Sequence, residues 1–165
     1  MEDKIFGSLD FDDNFYGKLT LTFFGKPTEV DLTIFHFDDE EDGISDSQYE
    51  AYNKFTKSWN DGLQEKIVER IIEYYNEEER FSYGPDDEEE FNAMWPELNT
   101  VEDMVKTINP DGLVIGCSFS PEENEEQKIY VTFNYTWGCD TDDNGIGVEI
   151  TGGEVTDIGF KDIAY

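Results

Sequence analysis

Residues Ser47 to Tyr74 read SQYEAYNKFTKSWNDGLQEKIVERIIEY, and the spacing of the large apolar side chains in that stretch sets the architecture. Tyr52, Phe55, Trp59, Leu63, Ile67, Ile71 and Tyr74 recur at intervals of three and four, which places them on one stripe of a helix that has to be covered by another apolar surface. Ser47 and Glu50 have the spacing of a capping box, in which the serine accepts a backbone N–H and the glutamate returns the bond, so a long helix is expected to open at Ser47. Gly62 lies beside the stripe, where glycine costs up to about 1 kcal/mol against alanine. It marks either a close approach of backbones or a break between two helices, and close approach is the favoured reading.

On both sides of this helix the apolar pattern changes to that of strands. Upstream, Ile5 to Phe11, Tyr16 to Phe24 and Glu29 to Phe37 are β-rich and separated only by Asp12-Asp13-Asn14 and Gly25-Lys26-Pro27, connections short enough for an antiparallel meander. Val30, Leu32, Ile34 and His36 share one face of the third segment. Downstream, Pro85 followed by Asp86-Asp87-Glu88 has the order of a helix start, with acids nearest the positive end, and Phe91, Met94 and Trp95 share a face until Pro96. Thr100 caps a second short helix over Val101 to Ile108, and Asn109-Pro110-Asp111-Gly112 reads as a turn. Leu113 to Ser120, Lys128 to Trp137, Gly147 to Thr151 and Glu154 to Phe160 then read as strands. The order β-β-β, helices, β-β-β-β predicts an α+β protein: a mainly antiparallel sheet of about seven strands, with one long and one or two short helices on one face. No repeat and no linker divides the chain, so residues 1–165 are expected to form one domain.

Charge limits what such a fold can touch. The chain carries 41 acidic and 11 basic residues in 165, a net charge of -30, and the resulting negative potential disfavours nucleic acid and anionic membrane surfaces while favouring a basic protein partner. With 37% hydrophobic and 15% aromatic residues the chain has the side chains for a core, unlike a disordered acidic tail. No apolar run approaches the ~18 residues of a membrane span and no signal-peptide pattern opens the chain, so a cytoplasmic location is expected. Cys117 and Cys139 lack CxxC spacing and histidine companions; they read as free buried thiols, with a cross-strand disulfide as the alternative.

Residues that could carry chemistry are few. Asp140-Thr141-Asp142-Asp143-Asn144-Gly145 reproduces the first half of an EF-hand loop, but position twelve is Thr151 instead of a bidentate Glu, and Asn144-Gly145 is also a strong hairpin signal. A plain acidic turn is the leading reading and a weak calcium module the rival. His36 is the one histidine and has no nucleophile motif beside it, so it reads as a core or rim residue. No catalytic residue, cofactor or metal site is expected, an uncharacterised hydrolase being the more distant alternative. Two acidic runs with aromatic neighbours stand out instead as partner-binding candidates: Asp39, Glu40 and Glu41, near Phe35, Phe37 and Tyr49, and Asp86, Asp87, Glu88 and Glu89, near Tyr83, Phe91 and Trp95. Acids would steer a basic partner and an aromatic ring would anchor it; the alternative reading is a solvated acidic face with Phe91, Met94 and Trp95 packed inward.

Trp137-Gly138-Cys139-Asp140, Gly145-Ile146-Gly147-Val148-Glu149 and Val155 to Ala164, together with Trp95-Pro96, resemble a group of small, acidic, uncharacterised bacterial proteins with an ending close to W-x-x-D … G-x-G-V … I-G-x-x-D-I-A. The resemblance covers most of the chain and supplies no catalytic residue. Some similar proteins are proposed to be immunity proteins that neutralise toxins, so the resemblance implies an acidic binding protein that masks a cationic toxin or another basic protein.

Overall fold

A computed structural model describes residues 1–36, 43–80, 84–116, 126–138 and 145–165. The chain opens with a two-stranded clip, β1 (Glu2–Asp3) and β2 (Gly7–Ser8), and then builds a seven-stranded sheet from β3 (Asp10–Asp12), β4 (Asn14–Phe23), β5 (Lys26–Ile34), β6 (Ile108–Ile115), β7 (Lys128–Tyr135), β8 (Gly145–Thr151) and β9 (Glu154–Phe160), in that spatial order. All neighbours are antiparallel except β5 and β6, which run parallel from Asp31↔Gly112 to Ile34↔Ile115. The helices lie between those two strands in sequence, and a parallel pair needs such a crossover. The expected first strand, Ile5 to Phe11, is instead divided. Gly7 has φ +75°, and the Asp3 carboxylate accepts the backbone N–H groups of Ile5 and Phe6 at 2.8 Å.

The helical segment consists of α1 (Asp46–Ser58), a wide turn at Trp59–Leu63, α2 (Gln64–Tyr74), a second wide turn at Tyr75–Glu79, α3 (Glu88–Met94) and α4 (Val101–Val105). Phe55, Trp59, Leu63, Ile67, Ile71 and Tyr74 are all buried, as their periodicity requires. They cover Leu21, Phe23, Val30, Leu32, Ile34, Leu113, Ile115, Val131, Phe133 and Val148 from the sheet. Each such side chain gains about 1.5–3 kcal/mol on burial.

Three local expectations are corrected. The capping box is formed by Ser45 and Gln48, with Ser45 Oγ accepting from Gln48 N at 3.3 Å and Gln48 Oε1 accepting from Ser45 N at 3.1 Å. Gln48 is 1% exposed, and its Nε2 also donates to the carbonyls of Phe35 (2.7 Å) and Gly116 (3.2 Å), just beyond β5 and β6. A neutral amide can be buried there, whereas the carboxylate of Glu50 would carry its charge out of water. Gly62 has φ +91°, and a β-carbon added to it would meet no atom within 4 Å, so it breaks the helix and serves no close approach. The break has a use, because Trp59 Nε1 donates to Thr22 O at 3.0 Å and Gln64 Oε1 accepts from Phe24 N at 2.8 Å, fastening the β4–β5 hairpin to the helices. Lastly, Asn109-Pro110-Asp111-Gly112 lies inside β6 as a bulge opposite Phe133 and Thr132, and α4 ends at Val105. Bulges are where an interior strand tolerates a proline.

Candidate functional site

α3 opens at Glu88, three residues beyond Pro85. Asp87 caps it, Oδ1 accepting from Glu90 N at 3.0 Å, and Glu88, Glu89 and Glu90 occupy the first turn at the positive end of the helix. Asp86, Asp87, Glu88, Glu89 and Glu90 are all exposed. The chain leading toward them carries Glu77, Glu78 and Glu79 in the wide turn after α2, so eight acids and one base, Arg80, fall between residues 77 and 90. Arg80 ties the end of that turn to the later part of α3: Nε donates to Trp95 O at 3.1 Å, a terminal nitrogen donates to Asn92 Oδ1 at 3.2 Å, and the guanidinium lies 5.8 Å from the Phe91 ring centre. Lys18, Lys54, Lys66, Lys128 and Lys161 pair with Glu29, Glu126, Glu154, Glu149 and Asp111. Among the described residues no ion pair neutralises residues 86–90.

Trp95 does not stand beside these acids as an exposed anchor. It is 4% exposed, with ring centres 6.1 Å from both Tyr75 and Trp137, while Tyr75 meets Trp137 edge-on at 4.6 Å. Gly138, at φ +83°, lies against the Trp95 ring and donates its N–H to Met94 O at 2.9 Å. Burial therefore removes Trp95 from the partner-binding set; among the described residues the half-buried Phe91 is the aromatic ring left beside these acids, Tyr83 lying outside them. Burial, followed by the nearby Glu79 charge, pushes the Tyr135 hydroxyl up to about 12. Asp39, Glu40 and Glu41, the Asp140–Asn144 turn, Cys117 and Cys139 lie outside the described residues. His36 sits edge-on against Phe11 and Phe15, both with ring centres 5.5 Å away, and its backbone N–H donates to Asn14 Oδ1 at 3.0 Å.

A family model described as a domain of unknown function, DUF6985, matches residues 5–165. The chain belongs to that family. No curated protein and no solved structure matches it. The glycine-rich ending that carries the sequence resemblance has a structural explanation. The short 3-10 helix Lys161–Ala164 folds back over the sheet face opposite the helices. A β-carbon on Gly145 would lie 2.6 Å from Lys161 Cδ, one on Gly147 2.7 Å from Ile163 Cγ1, and one on Gly159 3.0 Å from Ile163 Cγ2. Lys161 reaches Asp111 in the β6 bulge and donates to Asn134 Oδ1 at 3.2 Å. Asp111 also accepts from Thr132 Oγ1 at 2.7 Å.

Beyond that turn the same face carries Glu149, which accepts from Thr156 (2.9 Å), Lys128 (3.1 Å) and Tyr130 (2.9 Å). Burial alone would raise its carboxyl, but these three hydrogen bonds and the Lys128 charge outweigh it and hold Glu149 below its ordinary value. A cavity of about 270 Å³ lies between α1 and the starts of β7 and β9, with Phe55, Ile129 and Ile150 in its wall and Lys54, Glu126 and Gln127 among its polar groups. Sequence reasoning picked out neither the Glu149 network nor the tie from Arg80 to Asn92 and Trp95. The first depends on cross-strand register, and the second on partners 12 and 15 residues away along the chain.

Proposed function

We propose that the protein is a non-enzymatic binding protein that offers the carboxylates around α3 to a basic protein partner, most concretely as an immunity-type protein masking a cationic toxin. One observation carries this reading. Asp86, Asp87, Glu88, Glu89 and Glu90 are solvent-exposed on a capped helix start and have no ion pair among the described residues. Exposed like charges that are not neutralised within the molecule repel one another, and a cationic surface relieves that repulsion. Such a field raises association rates by roughly 10- to 1000-fold and acts on encounter more than on the lifetime of the complex. The mechanism is occlusion: the acidic face occupies the basic surface that the partner needs for its own target.

The test is kinetic. A basic protein captured on the immobilised chain at low ionic strength is purified, and its association is followed at low and high salt with the native chain and with a variant carrying Asp86→Asn, Asp87→Asn, Glu88→Gln and Glu89→Gln. Asn at position 87 retains a capping oxygen, so the helix start survives. The on-rate should fall with salt for the native chain, and should be both lower and less salt-dependent for the variant. Unchanged kinetics in the variant, or capture of no specific basic protein, would sink the reading.

A further inference from the structure

We propose a second site, independent of the acidic surface: the groove between the β4–β5 turn and the end of α4 binds a small organic monoanion with a flat apolar body. The groove encloses about 610 Å³ and is walled by Phe24, Lys26, Lys106, Asn109, Asn134 and Tyr135, with further apolar and threonine residues between them. In a chain with 41 acids among 165 residues, this wall has two lysines and no Asp or Glu. Lys106 is held at the rim by Glu102 (3.3 Å) and Asp103 (3.7 Å) of its own helix. Lys26 has no ion-pair partner among the described residues, so it is the unneutralised cation of the groove.

The backbone at the rim supplies a second observation. Phe24 and Gly25 form the two-residue turn joining Phe23 to Lys26, with φ +45° and +79°. Such turns normally take Asn, Asp or Gly at the first position, and a bulky residue with positive φ is a conformational outlier. Phe24 is held there by the hydrogen bond from its N–H to Gln64 Oε1 (2.8 Å) and by the edge of Phe23 (4.9 Å, 85°), yet it stays 38% exposed. Strain of this kind persists where the surroundings enforce it, and it is concentrated at ligand clamps. Across the groove, Tyr135 is fixed by parallel stacking on Trp137, with ring centres 3.6 Å apart. Two aromatic rings therefore line a space for a flat body, with a lysine for the anionic group. The net charge of the chain repels polyanions more strongly than a singly charged ligand, which selects for the latter.

The probes are 8-anilinonaphthalene-1-sulfonate, a monoanion, and uncharged N-phenyl-1-naphthylamine, each titrated into the native protein and followed by fluorescence and calorimetry. Saturable one-site binding of the sulfonate is expected, at least tenfold tighter than the neutral compound. Lys26→Gln should weaken the sulfonate by about tenfold, the scale of one charge-assisted hydrogen bond, and leave the neutral probe unchanged, while Lys26→Arg keeps sulfonate binding. Phe24→Leu should weaken both probes. Lys26 is an exposed residue at the start of β5, so its variants should melt with the native protein. Equal binding of the two probes, indifference to Lys26→Gln, or no sulfonate binding would each overturn the proposal.

Discussion

Replacing Gln48 tests whether one neutral amide joins the helical layer to the parallel strand pair. Its side chain gives Nε2 to Phe35 O at 2.7 Å and to Gly116 O at 3.2 Å and accepts from Ser45 N at 3.1 Å, all at 1% exposure. Gln48→Ala removes these three hydrogen bonds and a fourth from Ser45 Oγ to Oε1, each with a net value of about 1 kcal/mol, and strands the buried Gly116 carbonyl with a further penalty of about 1–3 kcal/mol. A loss of about 5–7 kcal/mol is expected, which for a chain of this size lowers the melting temperature by roughly 10 °C or more. Gln48→Glu is the sharper change, since it keeps the shape and exchanges the donor for a carboxylate aimed at two carbonyl oxygens. Burial and those carbonyls raise the folded pKa of the new acid. A raised folded value contributes stability below the unfolded value near 4.3, and that contribution is lost as pH rises through the folded value. Urea unfolding at pH 4.5 and 7.5 should therefore show the Glu variant approaching the native protein at the lower pH, while the Ala variant stays about equally far below it. A loss under about 1 kcal/mol for Ala, or a pH-independent gap for Glu, would contradict this account of the Gln48 amide.

Gly147→Ala puts a methyl group 2.7 Å from Ile163 Cγ1 and should cost about 1–3 kcal/mol by overpacking; adding Ile163→Ala should recover part of it, and an additive double variant would count against the close approach. Tyr49, Tyr75, Tyr130 and Tyr135 are pushed up to about 12, in each case first by burial and, for Tyr49 and Tyr130, also by hydrogen bonds to Asp3 and Glu149. With folded values above the unfolded value near 10, their contribution is present below pH 10 and lost between there and about 12, so a tyrosinate absorbance titration should show them ionising together with unfolding. If all nine tyrosines instead titrate near 10 in a chain that remains folded, that account fails. The net charge of -30 predicts that added salt raises the melting temperature by screening like charges; a flat or falling response would show that specific pairs outweigh net repulsion.

Features encoded within a few residues were legible without any fold. The three-and-four spacing from Phe55 to Tyr74 specified the buried stripe, alternation specified which side of β5 faces the core, and Thr100 announced the cap it forms, at 3.2 Å. Net charge, a sum over residues, is independent of how the chain packs. Features that depend on distant partners came only with folding. The helix start settled on Ser45 and Gln48 because the neutral amide finds the Phe35 and Gly116 carbonyls, the latter 68 positions away. Asn109 to Gly112 became a bulge because Asp111 meets Thr132 and Lys161 across the sheet. Trp95 turned inward although the local pattern allowed it to face either way, since α3 is only seven residues long and too short to bury a face of its own. The rings that cover Trp95 come from Tyr75 and Trp137, 20 residues before it and 42 after, and no spacing within α3 records their arrival.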